Sequence, residues 1–174
     1  MENKKPQVAI IGGIMTVKGV VFEDFVNYKV PCMTIMMPIC KGFKCDKECG
    51  RPVCQNGPLA TAPNKEYHIS RIVDAYNCTS IPRAVVFQGL EPFDSFQDLY
   101  NFIFYFRKSC DIIDDIIIYT GYNKDEIETQ LNQLKTFPNI IVKFGRYIPD
   151  CESHYDEVLG VQLASPNQYA ERIS

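Results

Sequence analysis

Four cysteines lie within fifteen residues of this sequence, at Cys40, Cys45, Cys49 and Cys54. Thiolates at such close spacing bind metal ions or iron–sulfur clusters, or they pair as disulfides. In a reducing compartment, clustered thiols indicate metal or redox chemistry more often than disulfides. Four protein ligands would close a metal site, whereas three would leave one coordination position open for a substrate.

The spacing of these cysteines favours a cluster over zinc. Gaps of four, three and four residues separate them, and the sequence holds no CxxC pair. Structural zinc commonly uses two CxxC-like pairs on tight turns. A 4Fe-4S cluster held by only three thiolates would keep one iron free to bind a ligand. Zinc stays open as the less favoured alternative.

The chain has 174 residues, a formal net charge of −3 and 46% hydrophobic residues. This length and apolar content predict one domain, over 1–174, with a hydrophobic core of its own. The slightly acidic balance argues against a nucleic-acid partner, which needs a basic surface. No run approaches the roughly 20 apolar residues of a membrane span, and the first residues lack a signal-type cleavage region. We therefore predict a cytoplasmic protein without a membrane partner.

Strand-like and helix-like patterns alternate along the chain. Short apolar runs predict strands, and apolar residues at helical spacing predict amphipathic helices. Asn123 is placed to cap the last helix, in which Ile127, Leu131 and Leu134 share one face. The predicted strands cover 7–11, 30–37, 83–87, 114–120, 139–144 and 158–164, and the predicted helices cover 65–77, 94–109 and a segment after Asn123.

This alternation is typical of right-handed βαβ units and predicts an α/β fold with a mainly parallel sheet. In such folds, ligands bind at the carboxyl ends of the strands. The loops expected at that edge are 38–56, 88–92 and 120–122. Since the clustered cysteines lie in the first of these loops, we expect the other two to contribute to the same site.

Several short segments occur in a characteristic order. The cysteine loop, 38–56, holds CKGFKC and VCQN, the next two loops hold QGLEP and TGY, and FGRY and ASPNQY follow. In that order, these segments resemble the motifs of short radical S-adenosylmethionine (SAM) proteins. The sequence is most similar to the family of activating proteins of the anaerobic ribonucleotide reductase, which are glycyl-radical activases.

The resemblance implies three cluster ligands. It matches Cys40, Cys45 and Cys54 to the three thiolates that hold a 4Fe-4S cluster, which the family spaces as CxxxCxxC. Cys49 then lies in an inserted segment, 46–53, between the second and third ligands. Because the gaps are longer than the family's, Cys49 stays an alternative ligand.

The resemblance also places SAM beside the QGLEP loop. There Gly89 would let the backbone approach the cofactor without a Cβ clash, and Glu91 would face its cationic amino group. Asn56 ends the segment VCQN, and Thr120 stands in a segment similar to the family's YTG, so both are further candidates for cofactor binding. In isolation, QGLEP and TGY are also typical of plain strand-end loops.

The fold implied by the resemblance is a partial (β/α) barrel of the radical SAM type. The activity implied is reductive cleavage of SAM to a 5′-deoxyadenosyl radical, with an electron from a donor such as flavodoxin or ferredoxin. In the resembled family, that radical removes a hydrogen atom from a glycine of a large glycyl-radical enzyme, the anaerobic ribonucleotide reductase. The short chain supports a protein substrate, since little length is left to enclose a small molecule.

Two alternative functions stay open. One is a radical SAM enzyme that acts on a small molecule, for example a purine-derived precursor, and turns over without a protein partner. The other is a zinc- or iron–sulfur-binding module without catalysis. Such a module would be colourless with zinc, or brown and inert towards SAM with a cluster.

Overall fold

The computed structural model describes residues 12–174, so the strand predicted over 7–11 lies outside the described residues. None of the helices in the described part combines the length and the apolar character that crossing a membrane requires. The described helices are α1 (Lys44–Cys49), α2 (Gly57–Thr61), α3 (Ile69–Cys78), α4 (Phe96–Phe104) and α5 (Glu128–Leu134). The described strands are β1 (Ile14–Val17), β2 (Gly19–Asp24), β3 (Cys32–Met37), β4 (Lys65–His68), β5 (Ala84–Gly89), β6 (Asp115–Tyr119), β7 (Ile140–Phe144), β8 (His154–Asp156), β9 (Val161–Leu163) and β10 (Tyr169–Arg172).

Six strands form the central sheet, in the order β10-β7-β6-β5-β3-β2. The four inner strands, β3, β5, β6 and β7, run parallel to one another, and β2 and β10 join the two edges in the antiparallel direction. Two further pairs, β1 with β4 and β8 with β9, form separate two-stranded sheets. The architecture is thus mixed α/β with a parallel centre, and the partial (β/α) barrel over 1–174 stays a prediction.

Helices cover one face of the sheet, which we call the helical face. Alternate strand residues point to it and pack against the apolar sides of α3, α4 and α5 in the larger of two apolar clusters. Phe102 of α4 is fully buried there, with its ring edge-on to Phe87 at 5.2 Å and stacked on Phe106 at 5.6 Å. The strand residues of the helical face are Met33, Ile35, Met37, Val85, Phe87, Ile116, Ile118, Ile140, Val142 and Phe144.

Irregular chain and a short hairpin cover the opposite face, which we call the hairpin face. Its apolar cluster is smaller and includes Tyr28, from the segment between β2 and β3, together with Leu159 and Leu163 from the β8–β9 hairpin. The backbone of Lys29 donates to the Leu159 carbonyl at 2.8 Å, which joins the two coverings. The strand residues of this face are Cys32, Ala84, Val86, Ile117 and Ile141.

The parallel strands change character towards their carboxyl ends. Because these strands are buried on both faces, they read as near-continuous apolar runs. Successive side chains alternate between the faces, so the residues two positions beyond Val86, Ile117 and Ile141 also point to the hairpin face. These residues are Gln88, Tyr119 and Lys143. The carboxyl edge of the hairpin face is therefore the part of the sheet equipped to bind a polar ligand.

Two predicted elements differ from the structure in extent or position. KEYH, predicted as the first turn of a helix over 65–77, is instead the strand β4, and α3 begins at Ile69. The reason is a partner remote in sequence, since β4 pairs with β1 in an antiparallel register that joins Ile14 to His68. The strand predicted over 158–164 is shortened to β9, which pairs with β8 outside the central sheet.

The helix predicted over 94–109 consists of three consecutive segments: a 3-10 turn at Pro92–Ser95, then α4, then a π-helical turn at Tyr105–Ser109. The cap predicted at Asn123 is confirmed, because the Glu126 carboxylate accepts from the Asn123 N–H at 2.8 Å in a capping box. A 3-10 turn at Lys124–Ile127 leads from it into α5. The three residues predicted to share the inner face of that helix are buried: Ile127, Leu131 and Leu134.

Candidate functional site

A cavity of about 280 Å³ opens at the carboxyl edge of the hairpin face. All three loops expected at this edge contribute to its walls: the cysteine loop, the loop after β5 and the loop after β6. Residues that follow β7 and residues from 162 to 168 complete it. The structure therefore brings together, around one cavity, segments that are far apart in the sequence.

Three of the four clustered cysteines line this cavity, namely Cys40, Cys45 and Cys54. All three are half-buried free thiols. Cys49 is the last residue of α1 and is also half-buried, but it does not line the cavity. The geometry thus separates the three cysteines matched to cluster ligands from the one in the inserted segment.

The cysteine loop is folded around the short helix α1. Phe43 precedes the helix with φ 43°, in the left-handed region, and its N–H donates to Cys40 Sγ at 3.3 Å. Gly50, with φ 66°, ends the helix. Asp46 then ties the returning chain to α1, because its Oδ1 accepts from the Cys54 N–H at 2.7 Å. The inserted segment is therefore an ordered part of the site.

Two thiols of this loop, those of Cys40 and Cys45, have pKa values above the ordinary value for cysteine. Burial raises the pKa of Cys40, and the N–H groups of Phe43 and Gly42 oppose that rise only in part. Burial also raises the pKa of Cys45, and a negative charge on the neighbouring Cys54 raises it further. Without a metal, Cys40 and Cys45 are therefore protonated at neutral pH. A metal centre would bind them as thiolates and release their protons.

This donor set fits an iron–sulfur cluster. Thiolates are its usual protein ligands, and each binds its own iron, so the sulfurs surround the cluster. A single zinc ion would instead need its ligand sulfurs about 4 Å apart. Within residues 12–174, no three His, Cys, Asp or Glu side chains converge in the manner that one ion requires. The three free thiols that line this cavity are the ligand type that an iron–sulfur cluster uses.

The Glu91 carboxylate lies in the cavity wall and is held by three donors. Its Oε1 accepts from Thr120 Oγ1 at 2.6 Å and from the Phe93 N–H at 3.1 Å. Its Oε2 accepts from the Gly121 N–H at 2.9 Å. The residue is 8% exposed, and burial raises the pKa of its carboxyl to about 7 against the opposite effect of these hydrogen bonds. A fixed, poorly hydrated carboxylate of this kind interacts strongly with a cation.

Two other predicted cofactor-binding residues also line the cavity. Thr120 directs its hydroxyl proton to Glu91, and its oxygen accepts from the Tyr122 N–H at 3.0 Å, so it orients the carboxylate. Asn56 is exposed at the start of α2, and its side chain makes no cap hydrogen bond to that helix. The Asn56 side-chain amide is therefore not engaged by the N–H groups at the start of α2.

Gly89 lines the cavity at a sharp turn in the chain, where β5 ends with φ 89°. A Cβ at this position would lie 2.9 Å from Leu59 Cδ2 of α2 and 3.3 Å from the Met36 backbone. Glycine is required there by both the positive φ and the close neighbours. The close neighbours of Gly89 are Leu59 of α2 and Met36 of β3, and its approach to a cofactor stays a prediction.

The sequence interpretation missed Lys143, which lies near the end of β7 and lines the cavity. The residue is 6% exposed, and its Nζ donates to the Gly145 carbonyl at 2.9 Å. Burial lowers the pKa of this ammonium to about 8, so it is still charged at neutral pH. The signal in the sequence was a single lysine within the apolar run IIVKF, since an unpaired buried charge is costly and seldom kept without a role.

The last two motif-like segments, FGRY and ASPNQY, contact each other at the cavity rim. Asn167 Nδ2 donates to the Arg146 carbonyl at 2.9 Å, and Gln168 Nε2 donates to the Gly145 carbonyl at 3.4 Å. Gly145 has φ 94°, and a Cβ there would lie 2.7 Å from the Asn167 carbonyl oxygen. These contacts hold the end of β7 against the segment that leads into β10.

A family model covers most of the chain. It is described as a 4Fe-4S single cluster domain and matches residues 34–163, a stretch that includes all four clustered cysteines and most of the cavity-lining residues. No curated protein and no solved structure matches the chain.

Proposed function

This chain belongs to the 4Fe-4S single cluster domain family, and from that premise we propose that it is a radical SAM enzyme. The family accounts for the 4Fe-4S cluster. We assign Cys40, Cys45 and Cys54 as its ligands and leave Cys49 outside the ligand set. The observation that carries the proposal is that these three thiols line one cavity together with the loops after β5 and β6.

Binding of SAM is supported by the charges of the cavity. With three protein ligands, one iron would keep a free coordination position for a ligand. The methionyl part of SAM carries an ammonium and a carboxylate. The cavity wall offers a buried carboxylate, Glu91, and a buried ammonium, Lys143, which are the complementary groups.

The protein's own residues would hold SAM in position and limit the access of water to it. A cluster held by Cys40, Cys45 and Cys54 would supply the one electron needed to cleave the sulfonium C–S bond of SAM to methionine and a 5′-deoxyadenosyl radical. Glu91, already fixed by Thr120 and Gly121, would bind the ammonium without rearranging. Val86 and Ile117, which precede the cavity-lining Gln88 and Tyr119 by two positions on their strands, are fully buried, so the sheet interior next to the cavity is apolar.

We further propose that the radical is passed to a glycine of a large partner enzyme, such as an anaerobic ribonucleotide reductase. An electron donor of the flavodoxin or ferredoxin type would reduce the cluster, and the reducing cytoplasm would keep the thiols free. The order of the segments from CKGFKC to ASPNQY supports this choice, because it resembles the order in the activating proteins.

Anaerobic reconstitution with iron and sulfide tests the enzyme proposal. The purified protein should take up about four irons per chain and, with dithionite and SAM, release 5′-deoxyadenosine, which is measured by liquid chromatography and mass spectrometry. The Cys45→Ala variant should lose both the cluster and the product. Cys78→Ala, at an exposed cysteine outside the cavity, should keep both. A brown protein that leaves SAM intact would show a binding module without this catalysis.

The ligand assignment is tested by the same assay on Cys49. Cys49→Ala should hold a cluster with the iron content of the unaltered protein, because its side chain does not line the cavity. The assignment is wrong if Cys49→Ala loses the cluster while Cys54→Ala retains it.

The partner is tested in a separate step. Reduced protein, SAM and a purified large chain of the anaerobic ribonucleotide reductase type should give a glycyl-radical signal in electron paramagnetic resonance. Cleavage of SAM without that signal, together with turnover of a purine-derived small molecule, would favour the alternative substrate class.

A further inference from the structure

An ion-pair network joins α1 to the chain that follows β6 and β7. Lys44 Nζ lies 2.7 Å from Glu126 Oε1, and Arg146 Nη2 lies 2.6 Å from the same oxygen. Arg146 Nε lies 2.9 Å from Glu48 Oε1. Lys44 and Glu48 stand at i and i+4 of α1, so they share one side of that helix. The network therefore starts and ends on α1.

Arg146 is the centre of this network. Its side chain is 8% exposed, whereas that of Glu48 is 60% exposed. The contact from Nε to Glu48 is an ion pair without hydrogen-bond geometry, while Nη2 donates a hydrogen bond to Glu126. That hydrogen bond lowers the pKa of the Glu126 carboxyl to about 2, so Glu126 stays ionised. A buried guanidinium needs a counter-charge, which Glu126 supplies through a hydrogen bond and Glu48 through an ion pair.

The loop before α1 is tied to the same surroundings. Lys44 Nζ stands 4.7 Å from the centre of the Tyr122 ring, a cation–π contact. Tyr122 donates its hydroxyl proton to Asp94 Oδ1 at 2.8 Å, and Asp94 Oδ2 accepts from the Lys41 N–H at 2.6 Å. The chain between the first two cavity-lining cysteines is thus fixed to the segments that follow β5 and β6.

We propose that Arg146 is a positioning residue of the cluster site, which holds α1 so that Cys45 and Cys54 stand at the cavity. Arg146 does not line the main cavity, and it acts through the helix. It does line a separate cavity of about 40 Å³ together with Cys40 and Cys45, which places it directly behind the cysteine loop. Asp46 transmits the position of α1 to Cys54 through their 2.7 Å hydrogen bond. The inference rests on the proposed function.

The ion-pair network compensates for the length of the inserted segment. Eight residues, 46–53, separate Cys45 from Cys54. A longer connection has more conformations to lose when the two thiols are brought to one cluster. Ion pairs on one side of α1 and the Asp46 hydrogen bond on its return hold the segment in one conformation before a cluster binds. The site is then preorganised.

Two variants and one matched control test this role. Arg146→Met removes the central cation, and Glu48→Gln removes one exposed counter-charge with little risk to folding. Arg51→Met is the control, because Arg51 lies in the same inserted segment and forms an ion pair with Asp150 at 3.1 Å, but both side chains are largely exposed. Such an exposed pair contributes little. Arg146→Lys keeps a charge but loses the two-sided fork.

The first measurement uses the metal-free protein, so it is independent of the cluster. Brief alkylation with iodoacetamide, read by peptide mass spectrometry, should modify Cys45 and Cys54 about tenfold faster in Arg146→Met, since local opening of α1 exposes them. Glu48→Gln should give a smaller increase, and Arg51→Met none. The exposed Cys78 should react at one rate in all variants and serves as the internal standard.

The second measurement uses the reconstituted protein. Chelator-driven loss of iron should be about tenfold faster in Arg146→Met, with an altered resonance spectrum of the reduced cluster, and Arg146→Lys should restore part of the difference. Unchanged alkylation, or faster alkylation with unchanged iron release and spectrum, overturns the positioning role. If the unaltered protein takes up no cluster, the proposed function fails, and alkylation still decides whether Arg146 holds the two thiols.

Discussion

On the helical face of the sheet, α3, α4 and α5 cover a continuous apolar cluster, whereas the hairpin face is covered by the segment between β2 and β3 and by β8–β9. The same four parallel strands supply both faces. On the helical face they contribute apolar residues along their whole length. On the hairpin face they change from Val86, Ile117 and Ile141 to polar residues at the carboxyl ends.

The two faces differ in role: the helical face stabilises the fold, and the hairpin face carries the candidate binding site. Regular helices can seal a long apolar surface, which supplies most of the folding free energy. Loops and a short hairpin seal only part of the other surface and leave a cavity with three thiols, one buried carboxylate and one buried ammonium. Substitutions on the helical face should therefore change stability, and substitutions at the cavity should change binding.

The largest expected effect is at Cys40. Cys40→Ala should abolish cluster binding and the release of 5′-deoxyadenosine, because it removes one of the three proposed ligands. The free energy of unfolding of the metal-free protein should stay within about 1 kcal/mol of the original, since the thiol is half-buried and accepts one hydrogen bond. Iron analysis and urea titration measure the two quantities. A Cys40→Ala protein that still binds a full cluster would contradict the assignment of cluster binding to this cavity.

On the helical face, Phe102→Ala should lower the free energy of unfolding by about 3 to 5 kcal/mol, because it leaves a cavity beside Phe87 and Phe106. The folded fraction should still bind a full complement of iron. Phe104→Ala is the control on the same helix, since Phe104 is 48% exposed, and it should cost less than about 1 kcal/mol. Loss of the cluster from folded Phe102→Ala would show that the two faces are coupled.

The next effect is on ligand affinity at the cavity. Glu91→Gln should weaken SAM binding about 10- to 100-fold, the range expected when a hydrogen bond loses its charge. Iron content should not change, because Glu91 is not a cluster ligand. Glu128→Gln, at an exposed position on α5, is the control and should bind SAM normally. Equilibrium dialysis with the oxidised protein gives both dissociation constants, and equal values for Glu91→Gln and its parent would refute the role of the carboxylate.

The smallest effect is expected at Gly89, where β5 meets α2. Gly89→Ala should lower the free energy of unfolding by about 1 to 2 kcal/mol, because an alanine is strained at φ 89°. Its methyl group would also displace Leu59. Gly121→Ala is the control, since its φ is not positive and the nearest atom to the added Cβ beyond the adjacent residues, Glu91 Oε2, lies at an ordinary contact distance of 3.6 Å, and it should leave stability equal or slightly higher. Urea titration compares the free energies of unfolding of the two variants. Equal values would show that the conformation at Gly89 does not require glycine.

The helical face was predictable because its pattern is local. Ile72, Leu99 and Leu131 follow helical spacing and are all buried. Asn123 carries its capping signal within three residues of its partner Glu126. Short-range periodicity and capping were sufficient for these elements, since each is decided by residues within one or two turns.

The hairpin face depends on contacts between distant segments. The cysteine loop and the loops after β5 and β6 could be assigned to one edge from the βαβ order alone. The sequence did not indicate that Arg146 meets Glu48, because nothing local signals a contact across so many residues. KEYH was misassigned for the same reason, since its strand conformation depends on pairing with β1. The sequence showed Lys143 as a single lysine in an apolar strand, but only the structure shows that its side chain is buried at the cavity.

The wall formed by residues 162 to 168 has a consequence for biosynthesis. During translation the cysteine loop is made well before residues 162 to 168, which complete the cavity around it. Metallation on a nascent chain would therefore meet an unfinished site with its thiols open to oxidation. We expect insertion of the cluster to follow the synthesis and folding of residues 162 to 168. Pulse alkylation of ribosome-stalled chains that end before β9 should accordingly label Cys45 and Cys54 rapidly.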